Sequence, residues 1–203
     1  VNRARAAIEN KSLASEIAPI DIKGTLVEDD EQPGKAKLDK IPSLRPAFKS
    51  DGTITAANAS SISDGASALV LTRESALAGR DPLARIVDHA THSIHPSEFT
   101  LAPIGAIEKL LAKTGWDLDS VDLFEINEAF AMVTMLTSQS LGLDPSKVNV
   151  FGGACAQGHP IGSTGSRLIV TLAHALKNQG KKRGIAALCI GGGEATAVAL
   201  ERN

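Results

Sequence analysis

The chain has 203 residues, of which 43% are hydrophobic and 22% charged, with a formal net charge of −2 and an isoelectric point near 6.2. This composition is typical of a folded globular domain and, on charge alone, argues against a nucleic-acid partner. No uninterrupted apolar run reaches the length of a membrane-spanning helix, so we expect no membrane partner.

The chain contains two cysteines, Cys155 and Cys189. Two are too few for a disulfide framework, and they lack the spacing that is typical of a metal site. We therefore expect no bound metal, and the expected location is a reducing cytoplasm or organelle matrix.

Residues 1–60 are the least regular part of the chain, and the pattern changes after Asp64 and Gly65. We predict a helix over Asn2–Asn10 and a loop over the acidic stretch Val27–Lys35. Two prolines in Ile41–Phe48 exclude a regular helix or a central strand there. The apolar run Ala66–Thr72 is typical of a buried strand, and Arg73–Gly79 is typical of a short helix that ends at glycine.

From Pro82 onwards, predicted strands and helices alternate. The strands are predicted at Leu83–Val87, Val121–Ile126, Val148–Val150, Arg183–Ile190 and Ala195–Glu201, and the helices at Ala102–Lys113, Glu128–Leu141 and Ile161–Lys177. This alternation predicts a layered α/β fold with a largely parallel sheet. The run Gly184–Ile190 is apolar at nearly every position, as in a strand that is buried on both faces.

Three segments carry polar or glycine-rich sequence where a predicted strand ends. In the first, Glu125–Ala131, the polar residues Asn127 and Glu128 stand between a strand and a helix. The alternative to a functional role is that Asn127 caps the helix and that the helix dipole favours Glu128.

The second segment, Gly152–Arg167, is rich in glycine and holds His159 between Gly158 and Pro160. Glycine lets the backbone approach a ligand or another strand closely. A dinucleotide- or phosphate-binding loop is excluded, because neither glycine pattern that defines such loops occurs here. A lone histidine is more often structural, but flanking Gly and Pro define its position and favour a functional role.

In the third segment, Cys189–Gly193, a cysteine ends a buried strand and three glycines follow. A buried cysteine is usually inert packing. Three consecutive glycines are costly in chain entropy, so we expect their backbone N–H groups to bind a substrate oxygen, as in an oxyanion hole. A cysteine beside such a hole and near a histidine can exchange protons with a carbon acid.

Three of these stretches resemble the C-terminal motifs of thiolases, in the same order and at similar spacing: Ile126–Ala131, Gly152–Arg167 and Cys189–Gly193. Asn58–Ala66 resembles a fourth family segment, which closes the loop domain that binds coenzyme A (CoA). The resemblance covers essentially the whole chain.

The fold that this resemblance implies is a layered α/β/α arrangement of two similar halves plus a loop domain. By that template, residues 1–60 finish the loop domain, residues 61–81 add a last strand and helix to an N-terminal half, and residues 82–203 form the C-terminal half. The chain departs from the family in having no cysteine in a nucleophile-type segment. We therefore expect an N-terminal half to come from elsewhere. The resemblance also implies a homo-oligomer, a dimer or tetramer, when the enzyme is intact.

The resemblance also implies roles for four residues. His159 would activate a nucleophilic cysteine and help bind the thioester oxygen, and Asn127 would hold a water that completes this oxyanion hole. Cys189 would take a proton from the methyl carbon of acetyl-CoA in synthesis, or return it in cleavage. The N–H of Gly191 would belong to a second oxyanion hole.

CoA is the carrier that the resemblance implies, without a metal or a bound redox cofactor. Ser60 would bond the pantetheine arm of an acyl-CoA substrate. Phe48 would line the CoA channel, with Phe99 as a further channel residue, and Phe130 would pack near the thioester.

These roles imply a reversible Claisen condensation of two acetyl-CoA to acetoacetyl-CoA and CoA, with this chain inactive on its own. A degradative 3-ketoacyl-CoA thiolase shares every motif and is the first alternative. A catalytically dead CoA- or lipid-binding module is the second, and the joint presence of Asn127, His159 and Cys189 argues against it.

Overall fold

The computed structural model describes residues 1–203, and a four-stranded sheet with helices on both faces forms its core. The helices are α1 (Asn2–Glu9), α2 (Gln32–Lys35), α3 (Ala102–Thr114), α4 (Ala131–Leu141), α5 (Ala154–Gln157) and α6 (Thr164–Asn178). The strands are β1 (Ile20–Ile22), β2 (Thr25–Val27), β3 (Arg85–Ser93), β4 (Leu123–Ile126), β5 (Arg183–Ile190) and β6 (Glu194–Glu201). Short 3-10 turns occupy Leu38–Ser43, Glu74–Ala76, Pro96–Leu101, Leu118–Ser120 and Pro145–Lys147.

The main sheet has the strand order β3-β6-β5-β4, and β1 and β2 form a separate hairpin. Only β4 and β5 are parallel, whereas β6 runs antiparallel to both β5 and β3. The prediction of a largely parallel sheet is therefore wrong. The turn that joins β5 to β6 is too short for the crossover that a parallel pair needs, so these two strands form a hairpin.

Two apolar clusters cover the two faces of this sheet. On one face, side chains of α3 and α4 pack against inward residues of β4, β5 and β6, among them Phe124 and Ile185. On the other face, α6 and α1 pack against the alternate residues, including Leu123 and Ala186. Successive residues of a strand point to opposite faces, so the nearly continuous apolar run in β5 serves both clusters. The predicted α/β/α layering is confirmed.

Several elements begin or end elsewhere than predicted. The α4 helix begins at Ala131, three residues after the predicted start, and α6 begins at Thr164 rather than Ile161. The predicted strand Val148–Val150 is reduced to a single bridge between Val148 and Phe124. Asn149 interrupts it, because its backbone φ is +48° and its side chain bonds the strand β4 instead.

The first 81 residues contain further corrections. The predicted loop Val27–Lys35 includes the end of β2 and the short helix α2. The strand predicted at Ala66–Thr72 has no regular secondary structure, and the helix predicted at Arg73–Gly79 is reduced to the 3-10 turn Glu74–Ala76. A strand requires a hydrogen-bonded neighbour, and neither sheet of this chain includes the segment.

The segment around Ser60 crosses the end of the main sheet. The N–H of Ser60 donates to the carbonyl of Ala129 over 3.1 Å, and the N–H of Ala131 donates to Asn58 over 2.8 Å. These backbone bonds tie the segment to the junction between β4 and α4. The segment around Ser60 therefore lies against the motif that contains Asn127.

Candidate active site

The candidate site lies where β4 and β5 end side by side. Ile126 pairs with Ala187, and the N–H of Asn127 donates to the carbonyl of Ala187 over 2.9 Å. Cys189 lies two residues after Ala187 on β5, next to the last residue of that strand, Ile190. The parallel register therefore brings Asn127 and Cys189 to one edge of the sheet.

Asn127 and His159 face each other at this edge. The Asn127 Nδ2 lies 3.5 Å from the His159 Nε2, and Asn127 is only 1% exposed. The Oδ1 of Asn127 is buried and has no hydrogen-bond partner within the protein. The pair therefore presents an imidazole beside an amide oxygen that can still accept a hydrogen bond.

Two contacts hold His159 in place. Its backbone N–H donates to the carbonyl of Ser61 over 2.9 Å, and its Nδ1 lies 2.6 Å from Thr164 Oγ1. The Thr164 hydroxyl donates its one hydrogen to the carbonyl of Pro160 over 3.0 Å, so its oxygen accepts from the Nδ1–H of the imidazole. This pattern assigns the proton to Nδ1 and leaves the lone pair on Nε2, which faces Asn127.

The surroundings of His159 favour its neutral imidazole. Burial lowers the pKa of His159 below its usual range, and the positive charge of Arg167 lowers this pKa further. A neutral imidazole with a free Nε2 can accept a proton from a thiol, which is the action of a general base.

Cys189 carries a thiol that stays protonated at neutral pH, because burial raises its pKa. Its side chain is partly buried and packs against the apolar cluster that α3 and α4 form with the sheet. A protonated thiol can deliver its proton to a carbanion, and the resulting thiolate can take a proton back. The environment of Cys189 thus suits proton exchange with a carbon acid.

The turn Gly191–Gly193 joins β5 to β6 beside this thiol. Gly192 and Gly193 have φ values of +96° and +89°, and a Cβ at Gly193 would lie 2.3 Å from the carbonyl oxygen of Ile94. The backbone therefore requires glycine at these two positions. A Cβ at the exposed Gly191 would meet no atom within 4 Å, so the backbone there is open to a ligand.

The predicted CoA contacts lie close together around Phe130. Its ring centroid is 6.2 Å from that of Phe48 and 6.4 Å from that of Phe99, both in edge-to-face geometry. Phe48 is 73% exposed and could contact a ligand. The hydroxyl of Ser60 donates to the carbonyl of Ala129 over 2.9 Å, so its hydrogen is already engaged within the protein.

Glu128 has a role that the sequence analysis missed. Its carboxylate accepts the N–H of Cys155 over 3.1 Å and lies 3.5 Å from the amide nitrogen of Asn149. A Cβ at Gly153 would lie 2.4 Å from this carboxylate, so a side chain there would displace Glu128. Glu128 thus binds the first turn of α5 and holds the glycine-rich segment against the end of β4.

The alternative of helix capping is wrong for Asn127, because α4 begins at Ala131 with Phe130 as its N-cap and no side-chain cap. Thr164 was also missed, although it stands one helical turn after His159 and Pro160 in the sequence. The signal was weak because a threonine at a helix start is equally typical of a structural cap.

Cys155, the other cysteine of the chain, lies in surroundings that fit a packing role. Burial, together with the nearby charge of Glu128, raises the pKa of the Cys155 thiol to about 12. The Sγ lies 3.8 Å from the carbonyl oxygen of Glu128. Such a thiol is a poor nucleophile at neutral pH.

No group of three or more histidine, cysteine, aspartate or glutamate side chains is arranged to hold a metal ion. None of the helices is both long and apolar enough to cross a membrane.

The regions that carry the motifs match two family models. The model for the thiolase C-terminal domain matches residues 80–202, and the model for the thiolase N-terminal domain matches residues 1–75. The chain belongs to the thiolase family. The resemblance that the motifs indicated is therefore confirmed.

Several thiolases are similar to this chain along nearly its whole length. A probable acetyl-CoA acetyltransferase of Dictyostelium discoideum is 48% identical over 98% of this chain and 50% of its own length. The crystal structure of the Bacillus anthracis acetyl-CoA acetyltransferase matches with a TM-score of 0.95 at 42% identity, covering 98% of this chain and 52% of that one. The crystal structure of human mitochondrial 3-ketoacyl-CoA thiolase in complex with CoA matches with a TM-score of 0.91 at 40% identity. The match covers 99% of this chain and 52% of that one. This thiolase chain spans about half the length of the relatives it matches.

Proposed function

We propose that this chain provides the proton-transfer and oxyanion-binding groups of an acetyl-CoA acetyltransferase. The reaction converts two acetyl-CoA to acetoacetyl-CoA and CoA, and thiolysis is its reverse. In the forward direction one thioester C–S bond breaks, one C–C bond forms between the acetyl carbonyl carbon and the methyl carbon, and the methyl proton ends on the released CoA thiol. Similarity to the acetyl-CoA acetyltransferases named above supports this choice.

The observation that carries the proposal is the Asn127–His159 pair. A neutral imidazole with its lone pair on Nε2 can take the proton from a nucleophilic thiol, and the protonated imidazole can then donate to a thioester oxygen. The free acceptor at Asn127 Oδ1 fits a water held beside that oxygen. We propose that the nucleophilic cysteine lies outside these 203 residues, in an N-terminal thiolase half.

Cys189 then exchanges the proton at carbon. In cleavage, its thiol donates a proton to the carbanion that leaves as acetyl-CoA, which suits a thiol whose pKa burial has raised. In synthesis, the Cys189 thiolate removes the methyl proton of acetyl-CoA. The open backbone at Gly191 lets its N–H bind the carbonyl oxygen of the acyl-enzyme.

The CoA contacts of the proposal are Ser60, Phe48 and Phe130, with CoA as the substrate carrier. The edge-to-face cluster of the two phenylalanines supports an apolar channel there. Engagement of the Ser60 hydroxyl by Ala129 leaves the oxygen of Ser60 as the atom that accepts a hydrogen bond from the pantetheine arm.

The remaining parts of the proposal concern the whole enzyme. We propose a loop domain that ends at residue 60, a central unit over residues 61–81 and a catalytic half over residues 82–203. A homo-oligomer in the cytoplasm or an organelle matrix is the proposed state. A 46%-identical mouse relative, named as a cytosolic acetyl-CoA acetyltransferase, supports the first location.

A degradative 3-ketoacyl-CoA thiolase is the second candidate function. The match to human mitochondrial 3-ketoacyl-CoA thiolase, at 40% identity, favours it specifically. The two functions differ in acyl-chain length, so the rate of thiolysis measured over a series of 3-ketoacyl-CoA substrates separates them. A rate that peaks at acetoacetyl-CoA supports the first candidate, and a peak at long chains supports the second.

The test of the proposed function is thiolysis of acetoacetyl-CoA by the purified chain. The chain is assayed alone and mixed with the N-terminal half of the B. anthracis relative. Cys189→Ala and Cys155→Ala form a matched pair, because both remove a partly buried thiol. We expect activity only in the mixture, reduced roughly 100-fold or more by Cys189→Ala and little by Cys155→Ala.

Two outcomes would overturn the proposal. Equal losses from both cysteine variants would show that Cys189 has no special chemical role. An inactive mixture that still binds CoA would favour the non-catalytic CoA- or lipid-binding module.

A further inference from the structure

A buried pair of titratable side chains, Glu125 and Arg167, lies between β4 and α6. The Nη1 of Arg167 is 3.6 Å from the Oε2 of Glu125, and their side chains are 19% and 2% exposed. Glu125 points to the α6 side of the sheet because its neighbours Phe124 and Ile126 fill the cluster on the opposite side.

Two more carboxyls share Arg167 as their counter-charge. Glu16, which follows α1, accepts a hydrogen bond from Thr171 on α6 over 2.8 Å. Asp30 precedes α2. Burial raises the pKa of both carboxyls, and the charge of Arg167 opposes that rise. Arg167 is therefore a single cation that faces carboxyls from three separate parts of the chain.

The pair is poorly explained as a source of stability. Both carboxyl oxygens of Glu125, both terminal nitrogens of Arg167 and one oxygen of Glu16 are buried without a hydrogen-bond partner in the protein. Each such group costs about 1–3 kcal/mol. An apolar pair of similar volume is often equally stable or more stable.

The positions of the two residues point to the site instead. Glu125 stands two residues before Asn127 on β4. Arg167 stands three residues after Thr164 on α6, so the two side chains share a face of the helix. Thr164 in turn binds the Nδ1 of His159. The Glu125–Arg167 pair thus joins β4, which Asn127 follows directly, to α6, which carries the Thr164 support of His159.

We propose that Arg167, held by Glu125, is a positioning residue for His159: it fixes the first turns of α6 against β4 and places a permanent positive charge behind the imidazole. This role rests on the proposed function of His159 as a base. It has an electrostatic consequence, because a nearby cation disfavours the imidazolium and keeps the ring neutral. The titratable groups that face Arg167 in turn are Glu125 from β4, Glu16 from the segment after α1 and Asp30 from the segment before α2.

The first test of the proposal uses the 203-residue chain itself and needs no assay of activity. The pKa of His159 is measured by NMR titration of its imidazole protons, and the signal is assigned by its absence in His159→Gln. Arg167→Met removes the charge at similar length, whereas Arg167→Lys retains it. Arg167→Gln replaces the methionine variant if the latter does not fold.

We expect the pKa of His159 to rise in Arg167→Met and to stay close to that of the parent in Arg167→Lys. The pH dependence of kcat/KM should change in the same direction as this pKa. In the mixture that restores thiolysis, Arg167→Met should shift the acidic limb of the pH profile to higher pH. A folded Arg167→Met chain with an unchanged pKa of His159 would overturn the proposal and leave the pair a purely structural element. The NMR result does not depend on turnover, so an inactive enzyme would count against the proposed function alone.

Discussion

Thr164 decides which nitrogen of His159 carries the proton. Its hydroxyl has a single hydrogen, which it donates to the carbonyl of Pro160, and its oxygen therefore accepts from Nδ1–H. Because Thr164 is fully buried, water does not substitute for this contact in the folded chain. A base that works through Nε2 depends on this one threonine.

Replacing Thr164 by valine should remove the acceptor at nearly constant volume. We expect kcat for thiolysis in the restored mixture to fall roughly 100-fold, because the imidazole loses its fixed tautomer and orientation. The nitrogen-15 shifts of His159 in the chain alone should show a mixed tautomer. Thr164→Ser should retain most of the activity.

The matched control is Thr137→Val, another fully buried threonine, whose hydroxyl bonds only the carbonyl of Val133 on α4. It should lower stability without changing the tautomer of His159. A similar loss of kcat in both valine variants would contradict the assignment to Thr164.

Glu125 should make stability fall as pH rises. Burial raises the pKa of Glu125 from its usual value to about 8, against the opposing charge of Arg167. The folded chain therefore holds a proton that the unfolded chain releases near pH 4.5, so unfolding is favoured increasingly from there up to about pH 8. This contribution to stability is present below the lower value and is lost as pH passes the higher one.

Glu125→Gln cannot ionise and should flatten this dependence. Between pH 5 and pH 8.5, we expect the urea midpoint of the parent to drop more than that of the variant. The difference between the two drops should correspond to a few kcal/mol in the free energy of unfolding. The exposed Glu108→Gln serves as the control and should behave as the parent. Identical slopes for Glu125→Gln and the parent would show that Glu125 stays ionised in the fold.

At the scale of elements, the hairpin between β5 and β6 sets the shape of the site. Its three glycines have different requirements: Gly193 has a φ of +89° and packs against the carbonyl of Ile94, whereas Gly191 faces open space. The hairpin also reverses the chain, which makes most of the sheet antiparallel. One short turn therefore decides both the strand direction and the exposure of a backbone N–H.

The two glycines should separate stability from activity. Gly193→Ala forces a side chain into a left-handed conformation and into contact with Ile94, so the free energy of unfolding should fall by about 1–3 kcal/mol or more. Gly191→Ala should leave the urea midpoint almost unchanged and should lower thiolysis in the restored mixture, because the methyl group crowds the N–H. A larger loss of stability from Gly191→Ala than from Gly193→Ala would mean that the turn has another geometry.

At the scale of the whole molecule, the chain exposes an apolar segment that has no partner in it. Val70 is 97% exposed and Leu71 is 71% exposed, in the run that the sequence predicts to be a strand. Exposed apolar surface of this kind marks an interaction site or an aggregation liability. The prediction that residues 61–81 complete the sheet of an N-terminal half accounts for both the strand-like composition of this run and its exposure.

A charge at Val70 should test whether this segment contacts an N-terminal half. Val70→Lys is expected to reduce self-association of the isolated chain in sedimentation and to weaken restoration of thiolysis by the relative's N-terminal half. Leu26→Lys makes the same change in the exposed hairpin of β1 and β2 and should leave restoration intact. Undiminished restoration by Val70→Lys would rule out this segment as the contact with that half.

The sequence by itself determined the elements with a strong local pattern and the residues with distinctive chemistry. The helices α1 and α3 follow from helical periodicity, and the strand β5 follows from a continuous apolar run, both of which a short window contains. The motifs around Asn127, His159 and Cys189 indicated the family, since glycine and polar residues at strand ends are visible without a fold. Local patterns can define elements because the forces behind them act between residues close in the chain.

Only the tertiary structure decided the order of the strands in the sheet and the support behind the site. The support behind the site depends on how elements pack. It consists of the contacts of His159 with Thr164, of Cys155 with Glu128 and of Glu125 with Arg167. Glu125 and Arg167 lie 42 positions apart in the sequence, and no local pattern indicates that they meet. Likewise, Ala66–Thr72 has the composition of a strand but lacks a neighbour, because pairing belongs to the sheet and not to the segment.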